Sequence, residues 1–267
     1  MDDRQFQKLL DQLDLSWKGY RKVRKGVKKR IARHMQAVGC RTPEAYLREL
    51  ADNPAALKQC GLLMTVSISR FFRDRNLWRI LREEGVPELI RRFPEKLDVW
   101  SAGCASGEEL HSFRILWEEL SRTRGKLPAL SLLGTDMNPD YLDRCRAGVY
   151  PRSNLREVPE ELRLRYFDVR RGGRRCHLKP DLKEGIVWRR HDLFDAPPGP
   201  LFHIIFLRNN LLTYYLPHRQ REAFAKIVAT LAPCGILAIG SHECLPFTPE
   251  RLIPHDSCPY LFRMRAG

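Results

Sequence analysis

The chain has 267 residues, 43% hydrophobic and 30% charged, enough to bury a sizeable core in one large or two small domains. No stretch approaches the roughly 18 uninterrupted apolar residues of a membrane span, and the N-terminus lacks the basic-then-apolar pattern of a secretory signal. The net charge of +15, from 47 Lys+Arg against 32 Asp+Glu, favours a negatively charged partner: nucleic acid, an anionic membrane face or an acidic protein.

The first elements are helical. Phe6, Leu9, Leu10 and Leu13 set a helical period over residues 3 to about 14. The densest charge run follows, with Lys18, Arg21, Lys22, Arg24, Lys25, Lys28, Lys29, Arg30 and Arg33 and no acid among them. Val23, Val27 and Ile31 recur every four residues, so the spacing predicts one basic helix over 18–33 on a narrow apolar stripe. Such a face is either merely solvated or a docking surface for something negative. No aromatic is interleaved among the cations from Arg21 to Arg33, which weighs against base stacking and so against nucleic acid. Thr42 as N-cap with Pro43 at the first helical position opens another helix, and Asn53-Pro54 opens one through Leu57 to Leu63. These helices predict an N-terminal helical domain over 1–87, closed by a linker at Gly85-Val86-Pro87. Inside it, Ser67-Ile68-Ser69-Arg70-Phe71-Phe72-Arg73-Asp74 sets two aromatics between arginines, as an anchor on the neighbouring domain or as part of a site.

A second domain over 88–267 opens on Leu97 to Glu119, LDVWSAGCASGEELHSFRILWEE. An apolar run meets a small-residue turn, Ser101 to Gly107, and a helical period follows through Leu110, Phe113, Leu116 and Leu120. Strand, tight turn and helix form the first unit of a nucleotide-binding α/β domain, in which small residues let the backbone approach a ligand. Glu108 and Glu109 would repel a pyrophosphate there. A cofactor with a ribose and a cationic end fits better, and S-adenosylmethionine is the common one. The next strand, Leu130 to Gly134, ends in Thr135-Asp136, an acid placed to accept from ribose hydroxyls. Pro139 starts a helix through Leu142 to Ala147.

Residues 151–185 interrupt this rhythm. Pro159 to Phe167 reads as a helix and Gly172-Gly173 as a turn, while Cys176 to Leu178 and Ile186 to Trp188 predict a small antiparallel insertion at about 170–187. Ile186 to Arg190 also reads as the returning α/β strand, ending in His191-Asp192. Phe202 to Leu207 is a buried central strand running into Arg208-Asn209-Asn210, polar groups at the strand end where parallel sheets bind ligands. Pro217 to Leu231 reads as a helix with Gly235 as the turn after it. Gly235 to Gly240 is a further strand closed by Ser241-His242-Glu243, and Tyr260 to Met264 is the last. The eight cysteines include no CxxC pair, and His177, His191, His203 and His242 have no ligand spacing. No metal is expected, and the thiols read as reduced in a cytoplasmic protein.

Together these motifs resemble the CheR-type methyltransferases, which use S-adenosylmethionine to methylate glutamates of bacterial chemoreceptors. The resemblance runs over nearly the whole chain. KKRIARHM and SISRFFRD are similar to the family's N-terminal helical domain and its T-x-FFR motif, and WSAGCASGEELHS to its WSA-x-x-S-x-GEEPYS signature. GTDMNPDYLDRCRAGVY and RRHDLFDAPPGPLFHIIFLRNNLLTYY follow in order. The resemblance implies a class I methyltransferase, Rossmann-like α/β sheet with a helical N-terminal domain and a small antiparallel β insertion. It implies that Arg73 grips a carboxylate near the methyl group, Glu109 faces the cofactor's ammonium and Asp136 holds the ribose. Asp192 and Leu193 would flank the adenine, and Arg208 with Asn209 would close the site. Ser67, Ser69, Gly103, Cys104, Ala105, Met137 and Asn210 complete the implied cofactor shell. Arg73, Arg208 and Tyr214 are the candidates for orienting the acceptor.

The departures are Leu110-His111 in place of Pro-Tyr, Asp192 in place of Asn, Leu207 in place of Cys, and RNNLLTYY, one residue longer before Tyr214 than RNVLIYF. GSHECLP resembles a branch outside chemotaxis. The implied partner is an acidic helical protein, such as the cytoplasmic domain of a chemoreceptor, docked on the basic helix. A small-molecule or other acceptor, or a non-catalytic binding protein, are the rival readings.

Overall fold

The computed structural model describes residues 1–66, 69–169 and 173–266. Its strands are β1 (Lys96–Ala102), β2 (Ala129–Asp136), β3 (Val149–Pro151), β4 (Phe167–Val169), β5 (Arg175–Leu178), β6 (Ile186–Arg190), β7 (Phe202–Leu207), β8 (Leu231–Ile239), β9 (Leu252–His255) and β10 (Cys258–Met264). Seven of them form one sheet in the order β6-β2-β1-β7-β8-β10-β9. The first five run parallel, β10 returns antiparallel to β8, and β9 is antiparallel to β10. This is the Rossmann-like α/β sheet that the strand–turn–helix pattern predicts.

The central strands are buried on both faces, as covered parallel strands must be. Leu97 and Val99 of β1 join Ile204 and Phe206 of β7 in one apolar layer, under helix Glu108–Arg124. Trp100, Ala102, Ile205 and Leu207 face the other way, under helix Pro217–Val228. Trp100 is fully buried, and its indole N–H donates to Thr135 Oγ1 at 2.9 Å, so its one polar atom is satisfied. Among the described residues no helix is long and apolar enough to cross a membrane.

Helices Asp3–Gln12, Arg24–Ala37, Pro43–Asp52 and Pro54–Met64 enclose a separate apolar cluster around Phe6, Leu10, Ile31, Tyr46 and Leu50. Thr42 and Asn53 cap their helices as expected, accepting from Ala45 N and from Ala55 and Ala56 N. This helical layer is stitched by backbone to the stretch that follows β7. Leu15 bridges Tyr215, Ser16 N donates to Tyr214 O at 2.8 Å, and Leu216 N donates to Asp14 O at 2.9 Å.

Five expectations are corrected. The basic run is not one helix: a short helix, Trp17–Tyr20, ends in a turn before Arg24–Ala37 begins. Three of its nine cations are spent internally, Arg24 and Lys28 on Asp3 and Arg30 on the carbonyls of Leu63 and Thr65. Lys18, Arg21, Lys22, Lys25, Lys29 and Arg33 remain exposed. Gly85-Val86-Pro87 is not a linker, because the chain runs from Arg75–Ile80 through a π-helical turn, Leu81–Gly85, directly into Val86–Arg92. All three residues are buried, Gly85 against Ile236, and Pro87 is tolerated because it stands in the first turn of the last segment. The small antiparallel sheet is β3-β5-β4, so β5 pairs with two three-residue strands and not with Ile186–Trp188, which belongs to β6. Gly172 of the expected turn lies outside the described residues. Helix Pro217–Val228 stops before Leu231, where β8 already begins; its register shifts before Ile236, and Gly235 sits in that irregular stretch, not in a preceding turn. Strand β9 was not expected at all.

Candidate active site

Strand order reverses between β1 and β7, and in an open parallel sheet the crevice outside such a pair of carboxyl ends receives the ligand. The turn after β1 is drawn tight: the N–H groups of Gly103 and Cys104 both donate to Thr135 O, each at 2.8 Å. Gly103 has φ +77°, and any side chain on it would collide with Asn210, so glycine is required twice over. Ala105 also takes positive φ, +49°, and its N–H is held by Asp136 Oδ2 at 3.0 Å. Against this turn lies a cavity of about 980 Å³, bounded on one side by the strand ends and on the other by the N-terminal helices. Pockets for small molecules span roughly 300–1,000 Å³, so it has room for a nucleoside cofactor and an acceptor side chain.

The charged centre is Arg208, at the end of β7. Its side chain is 4% exposed and donates to Glu109 Oε2 at 2.8 Å and to Asp74 Oδ2 at 2.6 Å. Ser101 Oγ takes the other Glu109 oxygen at 2.9 Å, and Ser241 Oγ donates to Asp74 Oδ1 at 3.1 Å. Arg73 lines the same cavity; burial and the Arg208 charge beside it both hold its guanidinium below the usual range. The two glutamates of the turn part company. Glu109 faces the cavity, whereas Glu108 is buried against Asn154 Nδ2 at 2.7 Å, and burial pushes its carboxyl up.

Asp136 ends β2 with its carboxylate on the cavity wall. Burial pushes it up to about 6 although the N–H groups of Ala105 and Asn138 donate to its two oxygens. A carboxylate that is short of hydration and open to the cavity suits hydroxyl donors of a ribose. Met137, Asp192 and Leu193 line the same wall, with Asp192 Oδ1 also accepting from Phe194 N at 3.1 Å. Ser69, Cys104, Asn209, Asn210 and Tyr214 line the cavity too, so every expected site residue but one is gathered here. The exception, Ser67, lies outside the described residues. These groups would suit S-adenosylmethionine by type: one carboxylate to accept from ribose hydroxyls, Glu109 to accept from an ammonium, and arginine to donate to a carboxylate.

Sequence reasoning missed Asp74, Ser241 and Glu243 as members of the site. Glu243 carried one usable signal, its place at the carboxyl end of a parallel strand. Ser241 shared that signal, whereas Asp74 carried none, since only the fold brings it to Arg208 from 134 residues away and sets Ser241 Oγ against it.

Just behind the turn, His111 is fully buried, with Nδ1 2.7 Å from Tyr150 Oη, which itself donates to Ser106 O at 2.9 Å. The Tyr150 proton is therefore used, and His111 donates through Nδ1–H. Burial drives its imidazole down to about 3. The unfolded chain takes up this proton below about 6.5 while the folded chain does not, so stability falls as pH drops from 6.5 towards 3. His111→Phe removes this contribution, and the loss of stability from pH 7 to pH 5 should shrink by about 2 kcal/mol relative to the parent. Urea unfolding at the two pH values measures it, and equal losses in both chains would refute the assignment.

The family model described as CheR methyltransferase, SAM binding domain, matches residues 67–259. A chemotaxis protein methyltransferase of Listeria innocua is 32% identical over 198 residues, 74% of this chain and 73% of that one. Chemotaxis protein methyltransferase Cher2 of Pseudomonas putida is 30% identical over 235 residues, 84% of this chain and 83% of its own. Among solved structures, the SAM-bound amino pentose methyltransferase CalS10 of Micromonospora echinaspora aligns with a TM-score of 0.36 at 18% identity. That alignment covers 67% of this chain and 57% of the other, and at that score the likeness is slight.

Proposed function

The chain belongs to the CheR methyltransferase family and is an S-adenosylmethionine-dependent methyltransferase, and from that premise we propose that it esterifies glutamate side chains of an acidic helical protein, a chemoreceptor cytoplasmic domain being the favoured acceptor. One observation carries this reading. The exposed Lys18, Arg21 and Lys22 open onto the same cavity as Arg73 and Asp136, so a band of positive charge leads from the surface to the transfer site.

S-Adenosylmethionine supplies an electrophilic methyl group on a sulfonium. A glutamate is already ionised at neutral pH, so the protein has no proton to remove and its contribution is alignment. In this proposal Asp136 holds the ribose hydroxyls, Met137, Asp192 and Leu193 flank the base, and Glu109 meets the ammonium. The turn Gly103–Ala105 allows close backbone approach, with Ser69, Asn209 and Asn210 completing the shell. Arg73 and Tyr214 orient the incoming carboxylate, and Arg208 keeps Glu109 in place. A carboxylate oxygen must arrive about 3–3.5 Å from the methyl carbon and in line with the bond that breaks. The basic band suits steering of an acidic surface, and such docking weakens as salt rises.

The test is transfer of radiolabelled methyl to membrane and soluble fractions of the host, followed by mild alkali. Label on membrane protein that alkali releases as methanol is the expected result, because only carboxyl esters behave so. Alkali-stable label, or label confined to small molecules, would overturn the glutamate reading and leave the methyltransferase with another acceptor.

A further inference from the structure

We propose that Glu243 is the positioning residue for the loop after β7, fixing Arg208 and Asn209 at the cavity by tying that loop to the end of β8. The inference deepens the reading of this cavity as the transfer site and rests on it for the effect on turnover.

The loop turns sharply. Asn209 adopts φ +56°, a left-handed conformation uncommon outside glycine that asparagine takes more readily than other residues, and here the surroundings hold it in place. The hold on one side comes from β1, where Asn210 Nδ2 donates to Ala102 O at 2.5 Å, and from Glu109 and Asp74, which pin Arg208. On the other side it comes from Glu243. Its Oε2 accepts from Asn209 N at 2.9 Å and from Gly240 N at 2.7 Å, and its Oε1 accepts from Thr213 Oγ1 at 2.5 Å. One carboxylate thus joins the start of the loop, its far end and the neighbouring strand. The approach is so close that a Cβ at Gly240 would strike both the Asn209 amide and the Glu243 carboxyl. Both Glu243 oxygens are engaged by donors of the chain itself, three in all, so the role assigned to it here is to shape the site.

Glutamine reproduces these contacts without the charge. Its amide oxygen accepts both N–H groups, and its NH₂ donates to Thr213 Oγ1, which accepts equally well. Alanine removes all of them and leaves two backbone donors without an acceptor. The experiment compares Glu243→Ala and Glu243→Gln in the full chain, by residue-resolved hydrogen–deuterium exchange without cofactor and by steady-state methyl transfer. In Glu243→Ala the amides of Asn209 and Gly240 should exchange about tenfold faster or more. Its kcat should fall about 10²-fold, with the KM for S-adenosylmethionine changing less than about threefold. Glu243→Gln should restore wild-type exchange and bring kcat within about threefold of the parent. Wild-type exchange in Glu243→Ala would overturn the proposal. So would a Glu243→Gln protein that is as slow as Glu243→Ala while its amides stay protected, since charge and not geometry would then be at work. A parent chain that transfers no methyl would sink the transfer-site reading alone, because the exchange measurement decides the role of Glu243 without turnover.

Discussion

Arg208→Ala is expected to abolish methyl transfer and to destabilise the fold by about 3–5 kcal/mol, the usual cost of stripping one partner from a buried charge cluster. The guanidinium is 4% exposed and is the shared counter-ion of Glu109 and Asp74. Without it two carboxylates face each other in a poorly hydrated space, and either they take up protons or the segment carrying Asp74 moves away. That segment also carries Arg73, whose carbonyl oxygen accepts from Arg208 at 3.2 Å, so the orienting cation moves with it. Denaturant unfolding gives the first number and transfer of labelled methyl the second. A triple variant, Arg208→Met with Glu109→Gln and Asp74→Asn, separates the two effects: it should recover most of the stability, because neutral groups of similar size need no counter-ion, and none of the activity. A stable and active Arg208→Ala protein would remove Arg208 from the site.

Asp136→Asn should weaken S-adenosylmethionine binding about 10- to 100-fold, the worth of charge-assisted hydrogen bonds to a pair of hydroxyls. The pH dependence is the sharper test. Ribose hydroxyls donate to the ionised carboxylate, and burial has already pushed this group up to about 6 in the free protein. Affinity for the cofactor should therefore be flat above pH 7 and fall towards tenfold per pH unit below about 6. The fold responds in the opposite sense: a folded value above the ordinary 3.8 means that the free protein takes up this proton before the unfolded chain does, so the Asp136 contribution to stability grows as pH falls from 6 to 3.8. Calorimetric titration between pH 5 and 8 should show the fall in the parent and its absence in Asp136→Asn. A parent affinity that is unchanged at pH 5 would mean that Asp136 does not meet the ribose.

The part of this site that was legible in the sequence is the part built from neighbours in the chain. Strand β1, its small-residue turn and helix Glu108–Arg124 announce themselves by local period and turn chemistry, and so does the acid that ends β2. Residues that act by meeting across the sheet were not legible. Asp74 looks like an ordinary polar residue before a helix, and the place of Ser241 and Glu243 at a strand end does not name their partners, Asp74 and the Asn209 N–H, which only the fold supplies. The linker expected at Gly85-Val86-Pro87 failed for a related reason. Glycine and proline mark a break when a segment is exposed, but here a π turn absorbs the irregularity and packing against Ile236 replaces what the local sequence lacks. The antiparallel sheet was misassigned because β3 and β4 are three residues long, too short to show an alternation of their own.

The backbone seam between the N-terminal helices and the stretch after β7 has a consequence for how the chain is made. Leu15 and Tyr215 are 200 positions apart, so their pairing closes a very large loop and waits on nearly everything between them. On the ribosome these helices emerge before the sheet and hold their own cluster around Phe6 and Ile31, with Ser16 N and Asp14 O lacking their partners until Tyr214 and Leu216 are synthesised. The wall that the helices contribute to the cavity is thus a late acquisition of biosynthesis. A nascent chain stalled before residue 211 carries the glycine turn and Asp136 but has no enclosed chamber to work in.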